Sequence, residues 1–326
     1  MEKELQGIIE AFQNATSVAV IAHVNEDPDA LGSCYAAAAV LRGLGKEAVC
    51  YVSGEPERRL SFLGKDYVVY PPQQTPVHDV CLCLDCGDVQ RLGERKALFD
   101  AAAVTVNIDH HYTNQGFAQF NWVDGSAAAT AEMLADLFRE MKVTLTSETA
   151  TYLFAAILSD TGCFKYSNVR PQTLRTAADL LEYGFDHAEV ARLLFDTYTL
   201  PLLCLKAELM ENIHSYADGR IQMVSVDAAM LKKHGVADGE ASNLVDIPRC
   251  IEGAEIAVCL KQKKDGQIRV SMRSNGDANV AEIAAQFGGG GHARAAGGTV
   301  CADSLEEAEK LLLQACFMAV EGGEMA

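Results

Sequence analysis

The chain has 326 residues, 49% of them hydrophobic, and a formal net charge of −18, a composition typical of a globular protein with room for two domains. This charge argues against a protein that coats long duplex nucleic acid, whereas short polyanions stay compatible if metal ions neutralise the carboxylates. No run approaches about 18 apolar residues and the start MEKELQGIIEAF is acidic, so we expect neither a membrane span nor secretion. Eleven scattered cysteines then indicate free thiols in a reducing cytoplasm.

The first half of the chain alternates strand-like and helix-like segments. Apolar runs predict strands at Ser17–Val24, Glu47–Val52, Asp79–Leu84 and Val104–Ile108. Helical patterns occur at Ala30–Leu44, which Gly45 would end, and at Ala127–Met141, Ser147–Leu158, Pro171–Tyr183 and Asp186–Leu194. This alternation predicts an α/β domain with a mostly parallel, Rossmann-like sheet, in which ligands bind at the carboxyl ends of the strands.

A helix-like connector around residues 196–215 precedes a second unit. Strands are predicted at Arg220–Val226, Glu255–Lys261 and Gln267–Arg273, the last two joined by the turn Lys264-Asp265-Gly266. A helix at Val280–Phe287, a glycine run, a further strand and an amphipathic helix at Ser304–Val320 follow. This order predicts a smaller α/β domain with a mixed sheet.

The strongest local signal is the segment His23-Val-Asn-Glu-Asp27-Pro28-Asp29-Ala-Leu-Gly-Ser33, which lies between an apolar strand and a helix. Such a turn can direct several side chains to one point, and the helix N-terminus favours anionic phosphate. The alternative is helix capping, with Asp27 or Asp29 as N-cap and Pro28 in the first turn. Capping, however, requires one acid and no histidine.

Three further groups follow predicted elements. Asp85 ends a strand in LDCGD, Asp109-His110-His111 follow the strand VTVNI, and Asp160 ends an apolar helix in LSDTG. A lone strand-end aspartate is a weak signal, but two adjacent imidazoles beside a carboxylate are costly to hold together without a ligand. A carboxylate at a helix C-terminus opposes the helix dipole and therefore requires a compensating cation.

Together these motifs supply four carboxylates and two imidazoles, from His23, Asp27, Asp29, Asp85, His110 and Asp160. Oxygen and nitrogen ligands favour Mn²⁺, Mg²⁺ or Co²⁺ over a structural Zn²⁺ site, and we expect Mn²⁺. So many ligands suit two divalent ions about 3.5–4 Å apart that share a carboxylate.

The segment Cys81-Leu-Cys83-Leu-Asp85-Cys86 raises the alternative of a thiolate metal site. Strand alternation would place Cys81, Cys83 and Asp85 on one face of the sheet and Cys86 on the other. Since buried cysteines are common in apolar strands, we interpret these thiols as core residues.

The motifs HxxxDPDALGS, LDCGD, DHH and LSDTG, in this order, resemble those of the DHH phosphoesterases. Downstream, Arg273-Ser274-Asn275 and Gly288–His292 resemble the accessory DHHA1 domain. Within the family, the compact chain resembles the oligoribonuclease/pAp phosphatase branch. The resemblance implies a DHH catalytic domain at 1–195, a helical connector at 196–215 and a DHHA1 substrate-binding domain at 216–326.

The resemblance also implies roles for the motif residues. One metal ion would be held by His23, Asp27 and Asp85, and the second by Asp29, Asp85, His110 and Asp160. The candidate catalytic residues are the shared ligand Asp85, His111, which would face the scissile phosphate, and Asp109, which would orient an imidazole. A hydroxide bridging the two metals would attack phosphorus in line.

Substrate contacts are expected from the second unit and from one arginine of the first. The candidates are Arg91, Arg273, Ser274, Gly289, Gly290, Gly291 and His292. Residues 261–273 carry five Lys/Arg against one Asp, which predicts a basic hairpin, although a solvated edge hairpin is the alternative. The glycine run offers bare backbone amides, with a flexible turn as its alternative, and Arg91 is equally compatible with a plain surface position.

We therefore expect a phosphoesterase that hydrolyses RNA fragments of a few nucleotides, linear dinucleotides or 3′-phosphoadenosine 5′-phosphate (pAp), and the resemblance leaves open which is preferred. A homodimer is compatible with this expectation. One alternative is an inorganic pyro- or polyphosphatase, although inorganic-substrate relatives carry a different accessory domain. The other is a non-catalytic nucleotide-binding module, which the complete ligand set disfavours.

Overall fold

The structure is a computed structural model that describes residues 2–74, 76–263 and 265–321. The chain divides into two compact units, with the division between Thr197 and Tyr198. Across the described ranges, no helix has the length and apolar character that a membrane crossing requires. All eleven cysteines are unpaired.

The first unit contains a sheet of six parallel strands. Its strands are β1 (Ser17–Ile21), β2 (Glu47–Val52), β3 (Val68–Val69), β4 (Val80–Leu84), β5 (Val104–Asp109) and β6 (Phe120–Val123). Its helices are α1 (Glu2–Asn14), α2 (Pro28–Gly43), α3 (Lys96–Ala101), α4 (Thr130–Glu140), α5 (Ser147–Asp160), α6 (Pro171–Leu181) and α7 (His187–Phe195). The spatial order β3-β2-β1-β4-β5-β6 reverses direction between β1 and β4, the kind of switch point where α/β sheets bind ligands.

The parallel sheet and the α/β class confirm the sequence-based prediction of the fold. Helix α2 begins at Pro28, two residues before its predicted start, because the Asp27 carboxylate accepts a hydrogen bond from the Ala30 amide at 3.0 Å. At its other end the backbone turns left-handed at Gly45, with φ of 80°, as predicted. Strand β6 was not predicted, since the run FNWV is short and only one of its residues is buried.

The sheet of the first unit packs apolar residues on both of its faces. Val80, Leu82 and Leu84 of β4 point into the larger core, and Cys81 and Cys83 point into the smaller one. Cys86 packs with Cys81 and Cys83, so its predicted position on the opposite face is wrong. Strand alternation ends at Leu84, and Asp85 takes a left-handed conformation with φ of 53°, which redirects the next side chain.

The second unit contains a mixed six-stranded sheet. Its strands are β7 (His214–Tyr216), β8 (Ile221–Val226), β9 (Ile256–Gln262), β10 (Ile268–Ser274), β11 (Gly290–His292) and β12 (Ala295–Val300). Its helices are α8 (Leu200–Glu211), α9 (Ala228–His234), α10 (Asp246–Arg249), α11 (Val280–Ala285) and α12 (Leu305–Glu321). The order is β11-β12-β10-β9-β8-β7, in which β8 and β9 are parallel and the other pairs antiparallel.

The predicted hairpin of β9 and β10 is confirmed, while Lys264 of its turn lies outside the described residues. Lys261 of this hairpin has a structural role. Its ammonium group donates to the carbonyls of Asp238 and Ala241 at 2.8 and 3.2 Å and pairs with the Asp238 carboxylate at 3.1 Å. One of the five cations of the basic hairpin is therefore engaged in packing a neighbouring loop.

Candidate active site

The predicted ligands of the first unit lie at the carboxyl ends of β1, β4 and β5, three neighbouring strands at the centre of the sheet. Asp27 and Asp29 follow β1, Asp85 follows β4, and His110 follows β5. Asp160 joins them from the last residue of α5, a helix that packs against α2. The topology thus brings together residues that are up to 137 positions apart, from His23 to Asp160.

A first group of ligand atoms forms around His23. Its Nε2 atom lies 3.8 Å from Asp27 Oδ2 and 3.5 Å from Asp85 Oδ2. Its Nδ1 atom donates to the Val24 carbonyl at 2.9 Å, so in the neutral imidazole the Nε2 lone pair faces the two carboxylates. One ligand atom from each of the three residues lies within 4.8 Å of the others.

A second group forms around His110 and shares Asp85 with the first. His110 Nε2 lies 3.4 Å from Asp85 Oδ1, 3.4 Å from Asp160 Oδ2 and 3.9 Å from Asp29 Oδ2. Asp29, Asp85 and His110 again offer atoms within 4.8 Å of one another. The two oxygens of Asp85 therefore face different groups, Oδ2 towards His23 and Oδ1 towards His110.

Buried ion pairing fixes the loop that carries His23 and Asp27. The Glu26 carboxylate accepts hydrogen bonds from the Ser53 amide and hydroxyl at 2.7 and 2.8 Å and pairs with the guanidinium of Arg95. The side chains of Glu26 and Arg95 are 5% and 1% exposed, so removal of either would leave a buried charge without its partner. The loop between β1 and α2 is therefore held by Ser53, directly after β2, and by Arg95, directly before α3.

The third imidazole, His111, is oriented by a chain of buried polar side chains. Its Nδ1 atom donates to Asp109 Oδ1 at 2.7 Å, and Asp109 Oδ2 accepts from Asn114 Nδ2 at 2.8 Å. Asn114 also donates to Asn107 Oδ1 at 2.7 Å, and both amides reach the Cys86 carbonyl. This network links the His111 ring to the turn that carries Asp85, and it directs His111 Nε2 away from Asp109.

The pKa values of the histidines reflect the surrounding acids. Burial lowers the pKa of His23, but the hydrogen bonds and charges of Asp27 and Asp85 outweigh burial and raise it well above its usual value. Burial also lowers the pKa of His110. The hydrogen bond with Asp85 and the charges of Asp160 and Asp85 outweigh burial and raise this pKa well above its usual value. Both imidazoles thus lie in strongly negative surroundings.

The carboxylates repel one another. Burial and then the charge of Asp85 raise the pKa of Asp29 to about 7, and burial and the charge of Asp29 raise the pKa of Asp160 well above its usual value. Burial would also raise the pKa of Asp85, but hydrogen bonds with His110 and His23 hold it well below the usual range. The cluster therefore has an excess of negative charge that cations would neutralise.

The donor set fits divalent cations. Carboxylate oxygens and imidazole nitrogens converge in two groups with one shared carboxylate, without a thiolate among them. The Cys83 and Cys86 side chains are fully buried, and the Cys86 thiol donates to the Asp88 carbonyl at 3.1 Å. The thiolate alternative therefore has no support in this geometry.

Arg91 lies in a 3₁₀ segment, Val89–Arg95, that follows the Asp85 turn. Its carbonyl accepts a hydrogen bond from the Val24 amide at 2.7 Å, which fixes the backbone beside the first group. Its guanidinium is exposed, and within the described ranges no hydrogen bond or ion pair engages it. The side chain is thus available to a ligand.

In the second unit, the residues predicted to contact substrate differ in their surroundings. Arg273 is partly buried and donates to the Met272 carbonyl at 3.0 Å. Ser274 is buried, and its hydroxyl donates to the Gly276 carbonyl at 3.2 Å within the turn after β10. His292 ends β11 and is partly buried.

The three glycines of the predicted substrate segment are not equivalent. A Cβ atom on Gly289 would lie 2.3 Å from the Gly297 carbonyl oxygen, and one on Gly291 would lie 2.5 Å from the Ala295 carbonyl oxygen. A Cβ atom on Gly290 would meet no atom within 4 Å. Close packing against β12 thus accounts for Gly289 and Gly291, whereas nothing in the hairpin itself requires glycine at 290.

Two family models cover most of the chain. Residues 17–157 match the DHH family N-terminal domain, and residues 221–317 match the DHHA1 domain. The chain is 34% identical over 298 residues to the bifunctional oligoribonuclease and PAP phosphatase NrnA of Thermus thermophilus, with coverage of 91% of this chain and 88% of that protein. The chain belongs to the DHH family.

Two further proteins are similar to this chain over most of its length. The bifunctional oligoribonuclease and PAP phosphatase NrnA of Bacillus subtilis is 31% identical, with coverage of 89% of this chain and 90% of that protein. A crystal structure of an exopolyphosphatase-related protein from Bacteroides fragilis superposes with a TM-score of 0.90 at 25% identity and covers 97% of this chain and 96% of that one. The resemblance to the DHH and DHHA1 domains that the motifs predicted is confirmed.

Several residues around the DHH motifs were not predicted from the sequence. They are Glu26 and Arg95, Asn107 and Asn114, and Thr130 and Glu132 at the start of α4. The sequence signal for most of them was faint, because an isolated asparagine or threonine is common in loops and at helix starts. Asn107 is the exception, since an amide within the apolar strand VTVNI must find hydrogen-bond partners when it is buried.

Proposed function

We propose that this chain is a metal-dependent phosphoesterase that hydrolyses short oligoribonucleotides, including linear dinucleotides, and pAp. The observation that carries the proposal is the pair of ligand groups that share Asp85, in a chain that aligns over nearly its full length with relatives named as oligoribonucleases and PAP phosphatases. Phosphoester hydrolysis requires stabilisation of charge on the phosphoryl oxygens, and this cluster is built to concentrate cations.

We assign the ligands as two sets. His23, Asp27 and Asp85 would hold one cation, and Asp29, Asp85, His110 and Asp160 would hold the other. Bound there, two divalent ions would supply a water activated near neutral pH and would neutralise charge on the reacting phosphate. The absence of thiolates and the oxygen-rich second set favour Mn²⁺, with Mg²⁺ and Co²⁺ as alternatives.

The chain's own residues would then orient the substrate. His111 has Nδ1 committed to Asp109 at 2.7 Å, so Nε2 is the atom that would donate to a phosphoryl oxygen. The exposed guanidinium of Arg91 would pair with a further phosphate group of the substrate. His111 is fixed by Asp109 before substrate arrives, which reduces the entropy lost on binding.

From the second unit we propose Arg273, Ser274, Gly289, Gly290, Gly291 and His292 as contacts to the nucleotide. The open space at Gly290 supports backbone contact with a ligand at that position most directly. Ser274 would act through its turn, because its hydroxyl is buried and already donates to Gly276. We also propose the division into DHH, connector and DHHA1 segments at residues 195 and 216, a reducing cytoplasmic location in keeping with the unpaired cysteines, and a homodimer.

A substrate panel tests the proposal. The protein with Mn²⁺ is incubated separately with pAp, a dinucleotide, a longer RNA, pyrophosphate and polyphosphate, and phosphate or mononucleotide release is measured. We expect turnover of the dinucleotide and of pAp and little turnover of longer RNA. Cleavage of polyphosphate or pyrophosphate alone would establish the inorganic phosphatase alternative, which the name of the Bacteroides fragilis neighbour keeps relevant.

A further inference from the structure

The N-terminus of α4 contacts carboxylates of the active site. The amides of Thr130 and Ala131 donate to Asp29 Oδ2 and Oδ1 at 2.7 and 3.1 Å, and the Thr130 hydroxyl donates to Asp85 Oδ1 at 3.1 Å. Thr130 is fully buried. A single residue of α4 thus holds the carboxylate of Asp29 through its backbone and that of Asp85 through its side chain.

This arrangement follows from a missing cap. The N-cap position of α4 is Ala129, whose side chain cannot accept a hydrogen bond from the first amides of the helix. Asp29, 101 residues earlier in the chain, accepts them instead. The start of α4 is therefore fixed to Asp29, and the partial positive charge of the helix end lies beside two acids that repel each other.

A second set of contacts holds the start of α4 from outside. Glu132 accepts the Ala128 amide at 2.9 Å, the Thr173 hydroxyl at 3.0 Å and the Arg170 guanidinium at 3.1 Å. The Glu132 side chain is 2% exposed, so these three donors are what compensates its burial. They tie the segment before α4 to the beginning of α6 and leave Thr130 little freedom to move.

We infer that Thr130 is a positioning residue whose hydroxyl sets the rotation of the Asp85 carboxylate between the two ligand groups. The inference rests on the proposed metal-dependent function. Asp85 Oδ2 faces His23 and Oδ1 faces His110, so rotation about the bond to the carboxylate would disturb both groups. The hydroxyl of Thr130 donates to Oδ1 and carries no charge. It therefore fixes that rotation without replacing a cation as the partner of the carboxylate.

Two substitutions separate the contribution of the Thr130 hydroxyl from that of the side chain's shape. Thr130→Val keeps the branched volume and both backbone amides but removes the donor, and Thr130→Ser keeps the donor but removes a methyl group. Thr176→Val is the matched control, since Thr176 is also fully buried in a helix but contacts Gln172 rather than a site carboxylate. Mn²⁺ affinity is measured by titration calorimetry, together with kcat and KM for a dinucleotide and the Tm of the metal-free proteins.

We expect Thr130→Val to weaken Mn²⁺ binding about 10–100-fold and to lower kcat by a similar factor with KM changed less than about threefold. Thr130→Ser and Thr176→Val should bind Mn²⁺ as the unmodified protein does. Wild-type affinity and kcat in Thr130→Val would overturn the inference, as would an equal loss in Thr130→Ser, which would assign the effect to packing. If Thr130→Val does not fold, Thr130→Ala gives the same comparison with Thr130→Ser.

Failure of the proposed function has a different signature. If the unmodified protein with Mn²⁺ cleaves neither dinucleotide nor pAp, the substrate proposal fails, while the calorimetric comparison of the valine and serine variants still decides the role of Thr130.

Discussion

The two units of the chain bury polar groups to very different extents. Among the residues that the structure describes, 17 polar or charged residues are buried in the first unit, but in the second only Gln222 and Ser274 are. Each buried polar group costs free energy unless it is hydrogen-bonded, and a buried charge costs more. The first unit therefore bears a free-energy cost of burying polar groups that its fold alone does not require. This cost is concentrated at the carboxyl edge of the sheet.

Most polar residues that the structure describes in the second unit lie at the surface or within turns. Lys261 stabilises a loop, Ser274 bonds within a turn, and Gly289 and Gly291 allow two strands to approach closely. The difference suggests how the proposed roles divide: the first unit holds the reacting groups rigidly at some cost, and the second offers contacts that cost its fold little. Four experiments test this division, from the largest expected effect to the smallest.

Replacement of Asp85 should be the most damaging change in the first unit. In Asp85→Asn the shared carboxylate is lost, while asparagine still tolerates the left-handed backbone, so the turn should persist. We expect kcat/KM for a dinucleotide to fall about a thousandfold or more, since metal-site charge stabilisation is worth several kcal/mol and each tenfold in rate is about 1.4 kcal/mol.

Asp88→Asn is the control for Asp85→Asn. It removes the same charge three residues away, and asparagine can still cap the 3₁₀ segment through its side-chain oxygen. Activity should survive in Asp88→Asn, and equal losses in the two variants would mean that net charge rather than ligation matters.

Metal binding should stabilise the first unit selectively. All six proposed ligands lie in it, and a ligand at a thousand times its dissociation constant stabilises the folded state by about 4 kcal/mol. In hydrogen exchange measured with and without Mn²⁺, we expect slower exchange around residues 22–33, 84–88, 108–114, 126–132 and 157–162, with little change in β8 to β10. Protection confined to the second unit, or a response retained in Asp85→Asn, would contradict the ligand assignment.

The asparagine network should matter less than the ligands themselves. Asn114→Ala removes the donor to Asp109 and leaves His111 less firmly oriented, so we expect kcat to fall about 10–100-fold with a small change in KM. Asn121→Ala is matched to it, because Asn121 lies nearby and its side chain bonds the backbone of Phe117 and Ala118 rather than Asp109. A kcat loss in Asn121→Ala as large as in Asn114→Ala would indicate general loosening rather than orientation of His111.

The glycine hairpin separates stability from binding in the second unit. Gly289→Ala forces a Cβ atom against the Gly297 carbonyl and should destabilise the unit by about 1–3 kcal/mol in denaturant unfolding. Gly290→Ala has open space, so its stability should be unchanged while KM for a nucleotide substrate rises several-fold. An unchanged KM in Gly290→Ala would remove this residue from the proposed contacts.

The sequence predicted the fold through its strongest patterns. Apolar runs in β1, β4 and β5 and the acidic or imidazole residues after them predicted that the candidate ligands lie at one edge of a parallel sheet. Asp27 is informative because two interpretations were open, capping and ligation, and its carboxylate both caps α2 and lies 3.8 Å from His23. A carboxylate that caps a helix can also lie beside a neighbouring imidazole, so local propensity alone does not decide between capping and ligation.

What the sequence did not predict depends on contacts between distant segments. Thr130 acquires its significance only because α4 lacks a cap of its own and begins beside Asp29. Cys86 was assigned to the wrong face because the left-handed turn at Asp85 interrupts strand alternation, and no residue type marks that turn unambiguously. The sequence predicted Lys261 as one of the cations of a basic hairpin. In the structure its ammonium group instead bonds to a loop about twenty residues earlier in the chain.

The unequal glycines of the second unit also bear on how the family can diverge. Substitution at 289 or 291 is opposed by backbone atoms of the same hairpin, so glycine would persist there even in a descendant that had lost its substrate. A Cβ atom at position 290 meets no such obstacle, so under the proposed contact with substrate, substitution there would be limited by what the hairpin binds. Among related chains, the residue at 290 is therefore the one whose variation should follow changes in substrate preference.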